Sequence, residues 1–544
     1  MDIGLRLNQG AWCLVAATLT AGNLGIAYAA PGALSSSPLF LTNYPQPNIF
    51  FMLDDSGSMD WEVMVQGNSG RFATNQPDGA SVASAGSIQQ RTTTNSGSGN
   101  CSSGGYSGSY IYGVEFGSNN YTDGSDDCYV ADDQAWRFRN ADFNPLYFDP
   151  SMDYTPWRGK NKYGQVYQDI AITNAPDDPY RFNFSSPPGD AETINLTIHN
   201  SNWAGGTSRD TSDSDGDGNP DGFWFYTWND ADGDGNFDNG EQTGYQIGYI
   251  TAAQITAAGW TNPDGTIKSV ADLQQDFANW FSYYRKRELV AKRAVSELIY
   301  NSQARVGLAT LHNNNGVGMP VKDVDNISTP VDATAQTSKD NLLKKLGQVN
   351  SDGGTPLRLG LRNVGNYFHS SATTGVSSLF GSSESSPILS AAEGGECQQN
   401  FTVLMTDGYW NGGSPGVGNT DQDGTGPYDG ASYADGYSNT LADVAMHYYE
   451  TDLHTGLANK VPTTAGLDDN NAQHMVTFGV AFGVNGTLTA NPPNRTDPFV
   501  WPQPSADATT TIDDLRHAAW NGRGDFLSAR TPQDLIDALA LIHI

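Results

Sequence analysis

The chain has 544 residues, 38% of them hydrophobic, with 61 glycines and 60 acidic against 28 basic side chains. Its formal net charge of −32 excludes nucleic-acid or anionic-membrane binding through bulk charge, and it suits solubility and divalent cations. The length allows roughly two to four domains, and the glycine content implies long stretches of loop.

Residues 1–29 read as a secretory signal, with Arg6 in a short polar start, an apolar stretch from Ala11 to Ile26, and the small-residue pattern Ala27-Tyr28-Ala29 before Ala30. No other stretch approaches the roughly 18 apolar residues of a membrane span. The chain is therefore expected to be exported and not membrane-spanning. Residues 30–47 form an extended, proline-rich lead-in. With Cys13 inside the signal, Cys101, Cys128 and Cys397 remain. Cys101 and Cys128 share one Gly/Ser-rich region, where a disulfide between them would staple a loop. Cys397 is then odd, either a buried thiol or paired elsewhere.

The stretch Asn48 to Met59 comes next. Ile49 to Leu53 is an unbroken apolar run, which predicts a strand buried on both faces. It stops at Asp54 and turns through Ser56 and Ser58. An acid and two hydroxyls at alternate positions after a buried strand are ligands for a hard cation. From Gln66 to Asp127 the composition is that of a surface insertion. Residues 143–158, with three prolines among aromatics, suit an irregular but packed segment. Residues 192–201 alternate Ile194, Leu196 and Ile198 and predict a half-buried strand. Shorter strands are expected at 223–228 and from Tyr245 to Ile250.

Regular α/β alternation resumes at Ser269. The spacing from Leu273 to Ser302 predicts one helix capped by Ser269 and Asp272. Then come a strand from Val306 to Leu311, a helix from Asn341 to Val349, and a helix from Pro356 to Phe368 with Thr355 as its cap. A buried strand from Phe401 to Met405 ends in Asp407. A helix from Thr440 to Leu453 carries the cap pair Thr440 and Asp443. A strand from His474 to Val484, a last one at 525–529 and a helix from Thr531-Pro532 complete the order. Strands alternating with helices predict a doubly wound, mostly parallel sheet with helices on both faces. Residues 48–59 and 269–544 would form this split domain, and 60–268 a large irregular or β insertion.

Open parallel sheets bind ligands at the carboxyl ends of their strands. Asp54, Thr355 in S-D-G-G-T-P-L, and Asp407 in T-D-G would meet there. The D-x-S-x-S, Thr and T-D-G set resembles the metal-ion-dependent adhesion site (MIDAS) of von Willebrand factor A domains. That resemblance implies a Rossmann-like A fold in which Ser56 and Ser58 bind the cation directly and Thr355 does so directly or through water. Asp54 and Asp407 would act mostly through waters, and a partner's carboxylate would fill an open position. Mg²⁺ or Ca²⁺ is expected, with Mn²⁺ also suitable. Each residue has a plainer reading too: Thr355 as a helix cap, Asp407 as the start of a turn, Asp55 as a neighbour rather than a ligand.

Further segments resemble the PilY-type family of type IV pilus biogenesis and tip-adhesin proteins: F-N-P-L-Y-F-D-P with Y-T-P-W at 143–157, D-F-A-N-W-F-S-Y-Y-R-K-R at 276–287, N-T-L-A-D-V-A-M-H-Y-Y-E-T-D-L at 439–453 and D-D-L-R-H-A-A-W-N-G-R-G-D-F at 513–526. The resemblance implies an exported, pilus-associated protein between periplasm and cell surface. Its partners would be minor pilins at the pilus tip and host-cell or abiotic surfaces. Members usually continue into a C-terminal β-propeller, absent before Ile544, so no propeller function is carried over. The alternative is a structural or priming subunit whose cations only stabilise loops.

A second cation site is expected at Asp230, Asp232, Asp234, Asn236, Asp238 and Glu241, which match the twelve-residue, EF-hand-like Ca²⁺ loop without its helices. Asp213, Asp215, Asp217, Asn219 and Asp221 repeat its start but have Trp224 at the last position. Asn419, Asp421 and Asp423 are a weaker cation candidate still, and such a set is more often a solvated loop. Arg523-Gly524-Asp525 matches the integrin tripeptide but precedes a strand, which favours a structural role. Arg285, Lys286, Arg287, Lys292 and Arg293 are expected to pair with the protein's own acids. There is no G-x-S-x-G elbow in the right context and no base for Ser56 or Ser58, so no enzyme activity is expected.

Overall fold

The apolar run forms strand β1 (Asn48–Leu53), and every residue of it is buried. The computed structural model describes residues 45–64, 136, 139–197, 223–233, 240–325 and 332–537, with the backbone alone of 90–92, 128–130 and 538–540. After β1 come the hairpin strands β2 (Trp224–Trp228) and β3 (Gln242–Gln246) and the helices α1 (Ala252–Ala258), α2 (Val270–Tyr283) and α3 (Arg287–Asn301). Then follow β4 (Arg305–Thr310), β5 (Met319–Asp323), α4 (Ala333–Gly347), α5 (Leu357–Phe368) and α6 (Val376–Phe380). The chain continues through β6 (Asn400–Thr406), α7 (Leu441–Glu450), β7 (Val476–Phe482), α8 (Thr510–Asn521), β8 (Arg523–Ala529) and α9 (Pro532–Ala540). The chain divides into Met1–Pro45 and Gln46–Ile544, and all these elements belong to the second unit.

Six strands form one sheet in the order β8-β7-β6-β1-β4-β5. All pair in parallel except the edge strand β5, which runs antiparallel to β4. Ile49, Phe51 and Leu53 point into one apolar layer with α2, α3 and α4, while Phe50 and Met52 point into the other with α5, α7 and α8. Helices cover both faces, which is why β1 shows no polar alternation. The fold is mixed α/β with a mostly parallel central sheet.

The described part of the stretch between β1 and α2 shares the first of these layers. Leu146, Tyr147, Phe148, Tyr154 and Trp157 pack with Phe277 and Trp280 of α2 and with β1. Trp280 Nε1 donates to the Leu146 carbonyl at 2.9 Å and Trp157 Nε1 to that of Tyr283 at 3.0 Å. Residues 143–158 are thus irregular yet packed, as their composition implies.

Several expectations need correction. The helix from Leu273 to Ser302 is two helices, broken at Tyr284 to Lys286. Three cations there, Arg285, Lys286 and Arg287, reach acids elsewhere, Glu62, Asp60 and Asp407. Their ties oppose a straight continuation of the helix. Its start is as expected, a reciprocal Ser269–Asp272 capping box. The helix expected at Asn341 to Val349 starts at Ala333, behind an Asp332 cap. Thr355 does not cap α5: Pro356 holds the N-cap position, with no side-chain cap bond. The strand expected to span 192–201 is reduced to Thr193–Ile194, 198–201 lying outside the described residues. β3 ends where Tyr245 to Ile250 was expected to continue. The helix from Thr440 stops at Glu450, though its Thr440–Asp443 capping box is present. α1, α6, α8 and β5 fall outside the expected elements, although Ile512, Leu515 and Ala518 of α8 recur at helical spacing and are buried. No helix among the described residues is long and apolar enough to cross a membrane.

Candidate metal centre

From β1 the chain moves outward to β4 and β5, then returns to β6 on the other side of β1. The switch in strand order therefore lies between β1 and β6, where such sheets open a crevice. In register, Leu53 faces Met405, so Asp54 and Asp407 leave the sheet side by side. The Asp54 amide donates to the Met405 carbonyl at 3.0 Å.

The side chains here form one connected chain. Thr406 Oγ1 donates to Asp54 Oδ2 at 2.6 Å, and Asp54 Oδ1 accepts from the Ser56 amide at 2.8 Å. Ser58 Oγ donates to Asp407 Oδ1 at 2.9 Å and lies 3.1 Å from Ser56 Oγ. The loop bearing Thr355 is tied to the same turn, since the Gly57 amide donates to the Gly353 carbonyl at 3.0 Å and the Asp352 amide to that of Asp55 at 2.7 Å. Gly353 has φ +98°, and a Cβ there would meet the His312 ring at 2.9 Å, so only glycine suits the position. Asn411 clamps the third loop, accepting from the Thr355 amide at 2.8 Å. A Cβ on Gly408 would approach Ser58 Oγ to 3.3 Å, so a side chain there would press on that hydroxyl.

Asp54, Ser56, Thr355 and Asp407 are buried, while Gly57 and Ser58 are half-buried and carry what exposure the cluster has. Burial, then the charge of Asp407, pushes Asp54 up to about 7. A second charge bears on the pair: Arg287 Nη1 lies 2.6 Å from Asp407 Oδ2, both side chains wholly buried. Asp55 is turned away to β4, accepting from the His312 amide and facing His312 Nδ1, both at 2.9 Å. That bond raises the His312 imidazole above its usual value. Neither serine hydroxyl is hydrogen-bonded to a histidine among the described residues.

The donor set is one of hydroxyl and carboxylate oxygens. Adjacent ligands of an octahedral ion, each ~2.1 Å from it, lie ~3.0 Å apart. The Ser56–Ser58 hydroxyl separation of 3.1 Å fits that spacing.

No protein-family model and no solved structure matches the chain. Matching curated proteins include the type IV pilus biogenesis factor PilY1 of three Pseudomonas aeruginosa strains. The UCBPP-PA14 protein is 26% identical over 548 residues, covering 93% of this chain and 38% of its own length. The PAO1 protein is 26% identical over 445 residues, covering 74% and 35%. The PAK protein is 30% identical over 306 residues, covering 50% and 26%. The chain is a relative of the PilY-type type IV pilus biogenesis factors. It spans about a third of the length of these curated relatives.

Elsewhere in the chain, Asp230, Asp232 and Glu241 bring carboxylate oxygens within 4.8 Å of one another. They sit at the tip of the β2–β3 hairpin, where Trp228 pairs with Gln242. Glu241 Oε1 accepts from the Ala231 amide at 2.8 Å and Oε2 from Trp228 Nε1 at 2.9 Å. Asp234, Asn236 and Asp238 lie outside the described residues, as do Asp213, Asp215, Asp217, Asn219, Asp221, the signal and Cys101. Cys128 begins the strand Cys128–Val130, and Cys397 is a free, half-buried thiol.

The basic cluster pairs internally: Arg285 with Glu62 at 2.9 Å, Lys286 with Asp60 at 2.5 Å, Lys292 with Glu288 at 3.1 Å and Arg293 with Glu297 at 2.7 Å. Arg523 of the Arg-Gly-Asp triplet is buried, its guanidinium 3.9 Å from the ring centre of Tyr433 and 4.0 Å from that of Tyr449. Gly524 is buried too, leaving only Asp525 exposed. The triplet is therefore built into the start of β8. Sequence spacing missed a buried cluster of Asp421, Asp435 and His517 with the geometry to hold a metal ion. Asp421 was visible only as part of an acidic loop, because its partners lie far along the chain.

Proposed function

We propose that this chain is an exported, divalent-cation-dependent adhesion and pilus-assembly module. It would act through a von Willebrand factor A domain whose MIDAS comprises Asp54, Ser56, Ser58, Thr355 and Asp407. The observation that carries the reading is the Ser56–Ser58–Asp407 hydroxyl–carboxylate chain at the strand-order switch. Further support comes from the sheet order with a single antiparallel edge strand and from the PilY1 relatives, named as type IV pilus biogenesis factors. When bound, Mg²⁺, Ca²⁺ or Mn²⁺ would supply an electrophilic centre for a partner's carboxylate. Ser56 and Ser58 would ligate directly, Thr355 directly or through water, and Asp54 and Asp407 would orient waters. The expected partners are minor pilins of the pilus tip and a host or abiotic surface, and no catalysis is assigned. Binding to minor pilins and to surfaces, measured with Mg²⁺ and with chelator, tests this. Binding lost on chelation and in Ser58→Ala supports it, and binding indifferent to both refutes it.

A second reading is favoured by the Arg287–Asp407 pair, in which a guanidinium already neutralises one acid of the set. On that reading the chain is a structural or priming subunit whose cations stabilise loops. Metal would then raise the melting temperature without changing any partner's affinity.

A further inference from the structure

The long loop between β6 and α7 folds back over α8. There Asp421, Asp435 and His517, all buried, bring two carboxylate oxygens and one ring nitrogen within 4.8 Å of one another. The histidine is held firmly. Its Nε2 lies 2.6 Å from the Tyr433 carbonyl oxygen, and its ring stacks on Trp501 with centroids 4.0 Å apart and planes 9° apart.

A carbonyl oxygen only accepts, so Nε2 carries the hydrogen. In the neutral ring, Nδ1 then presents a lone pair. Opposite it, at 3.5 Å, stands Asp435 Oδ2. That oxygen makes no hydrogen bond, although the Asp435 side chain is only 3% exposed. Asp421 Oδ2 lies 3.6 Å from His517 Nε2 and accepts from Asn521 Nδ2 at 3.1 Å. Asn521 Oδ1, in a fully buried side chain, also has no hydrogen-bond partner. Buried oxygens without donors carry a desolvation cost that a cation would remove.

The spacing suits an ion between imidazole and carboxylate. Two ligand atoms ~2.1 Å from a tetrahedral metal lie ~3.4 Å apart, and Nδ1 and Oδ2 are 3.5 Å apart. We propose that Asp435, His517 and Asp421 form a site for a divalent transition metal of the zinc class, with His517 Nδ1 and one oxygen of each carboxylate as donors. A nitrogen donor distinguishes this site from the all-oxygen shells of Ca²⁺ and Mg²⁺. The metal would pin the loop that follows Asp407 to helix α8. This inference does not rest on the MIDAS reading, because the two sites share no residue.

The test uses the full chain, stripped with chelator and dialysed, then exposed to Zn²⁺ alone, with bound metal and thermal unfolding as readouts. Ser58→Ala serves as the background, so that uptake at the sheet edge is disabled. With Glu241→Gln added to that background to disable the hairpin-tip carboxylates, the expected result is one bound Zn²⁺ per chain and a melting temperature raised by a few degrees. Both should be lost in Asp435→Asn, whose amide keeps the shape and gives Nδ1 a partner, and in His517→Gln. Zn²⁺ uptake and a thermal shift that persist in Asp435→Asn would overturn the proposal, as would a parent chain that takes up no Zn²⁺. If both variants fail to fold, the imidazole ¹⁵N shifts of His517 in the parent chain decide. A Zn²⁺-induced change at Nδ1 supports the site, and no change overturns it.

Discussion

Arg287 and Asp407 meet at 2.6 Å with both side chains wholly buried, and the contact joins two distant parts of the chain. The same guanidinium donates to the Val63 carbonyl from Nη2 at 2.7 Å and lies 5.0 Å from the Trp61 ring centre. Arg287 thus locks the segment after Ser58 against the acid at the end of β6, at the first turn of α3. Removing the guanidinium leaves a carboxylate buried without its partner. Arg287→Ala is expected to cost about 3–5 kcal/mol in denaturant unfolding. Arg287→Met with Asp407→Asn should cost less than the two single changes together. An additive double mutant would show that the pair is not coupled.

The cation reading separates stability from metal response. Ser58→Ala removes a hydroxyl that donates to Asp407 at 2.9 Å, a net loss of about 1 kcal/mol without metal. In Mg²⁺ the gap should widen, because the parent chain alone gains from the ion. Melting curves with and without Mg²⁺ check this, and a gap that does not change with Mg²⁺ would count against a direct Ser58 ligand.

Much of the central sheet was legible because β1 and β6 are buried on both faces, which leaves an unbroken apolar run ending in an acid. Helix starts were legible where the cap is local, as at Ser269–Asp272 and Thr440–Asp443. The break between α2 and α3 was not, because its cause lies in Asp60, Glu62 and Asp407, far from residues 284–286. Thr355 looked like a cap because it precedes a proline, yet its backbone is engaged by Asn411, a contact no local pattern shows. The turn residues Asp54, Ser56 and Ser58 carry their own spacing. The Asp421–Asp435–His517 set joins a glycine-rich loop to a helix and has no spacing to read.

Asp177 gives a pH signature. Burial, then the neighbouring Asp178, raises its carboxyl from 3.8 to about 7. The folded chain therefore holds a proton between about pH 4 and 7 that the unfolded chain releases, so the associated stability is present at low pH and lost as pH rises through 7. Asp177→Asn keeps an oxygen to accept from the Glu192 amide, a bond of 2.8 Å. The variant should match the parent near pH 4 and exceed it at pH 8, by at most on the order of 4 kcal/mol. Urea midpoints across that range test the sign, and a variant weaker than the parent at pH 8 would refute it.

The β2–β3 hairpin tip provides a separate handle on Ca²⁺. Asp230, Asp232 and Glu241 place three carboxylates together, and Glu241 is also hydrogen-bonded to Trp228 Nε1 at 2.9 Å. Three acids this close repel one another until a cation joins them. Ca²⁺ should therefore shift Trp228 fluorescence and slow proteolysis of the hairpin. Glu241→Gln keeps an oxygen for the indole but removes the charge at the bidentate position of such a loop. It is expected to weaken Ca²⁺ affinity at least tenfold while leaving the response of Ser58 variants to Mg²⁺ unchanged. Ca²⁺ titrations followed by limited proteolysis distinguish the outcomes. Equal protection in Glu241→Gln and parent chain would mean that the loop holds no Ca²⁺ through this glutamate.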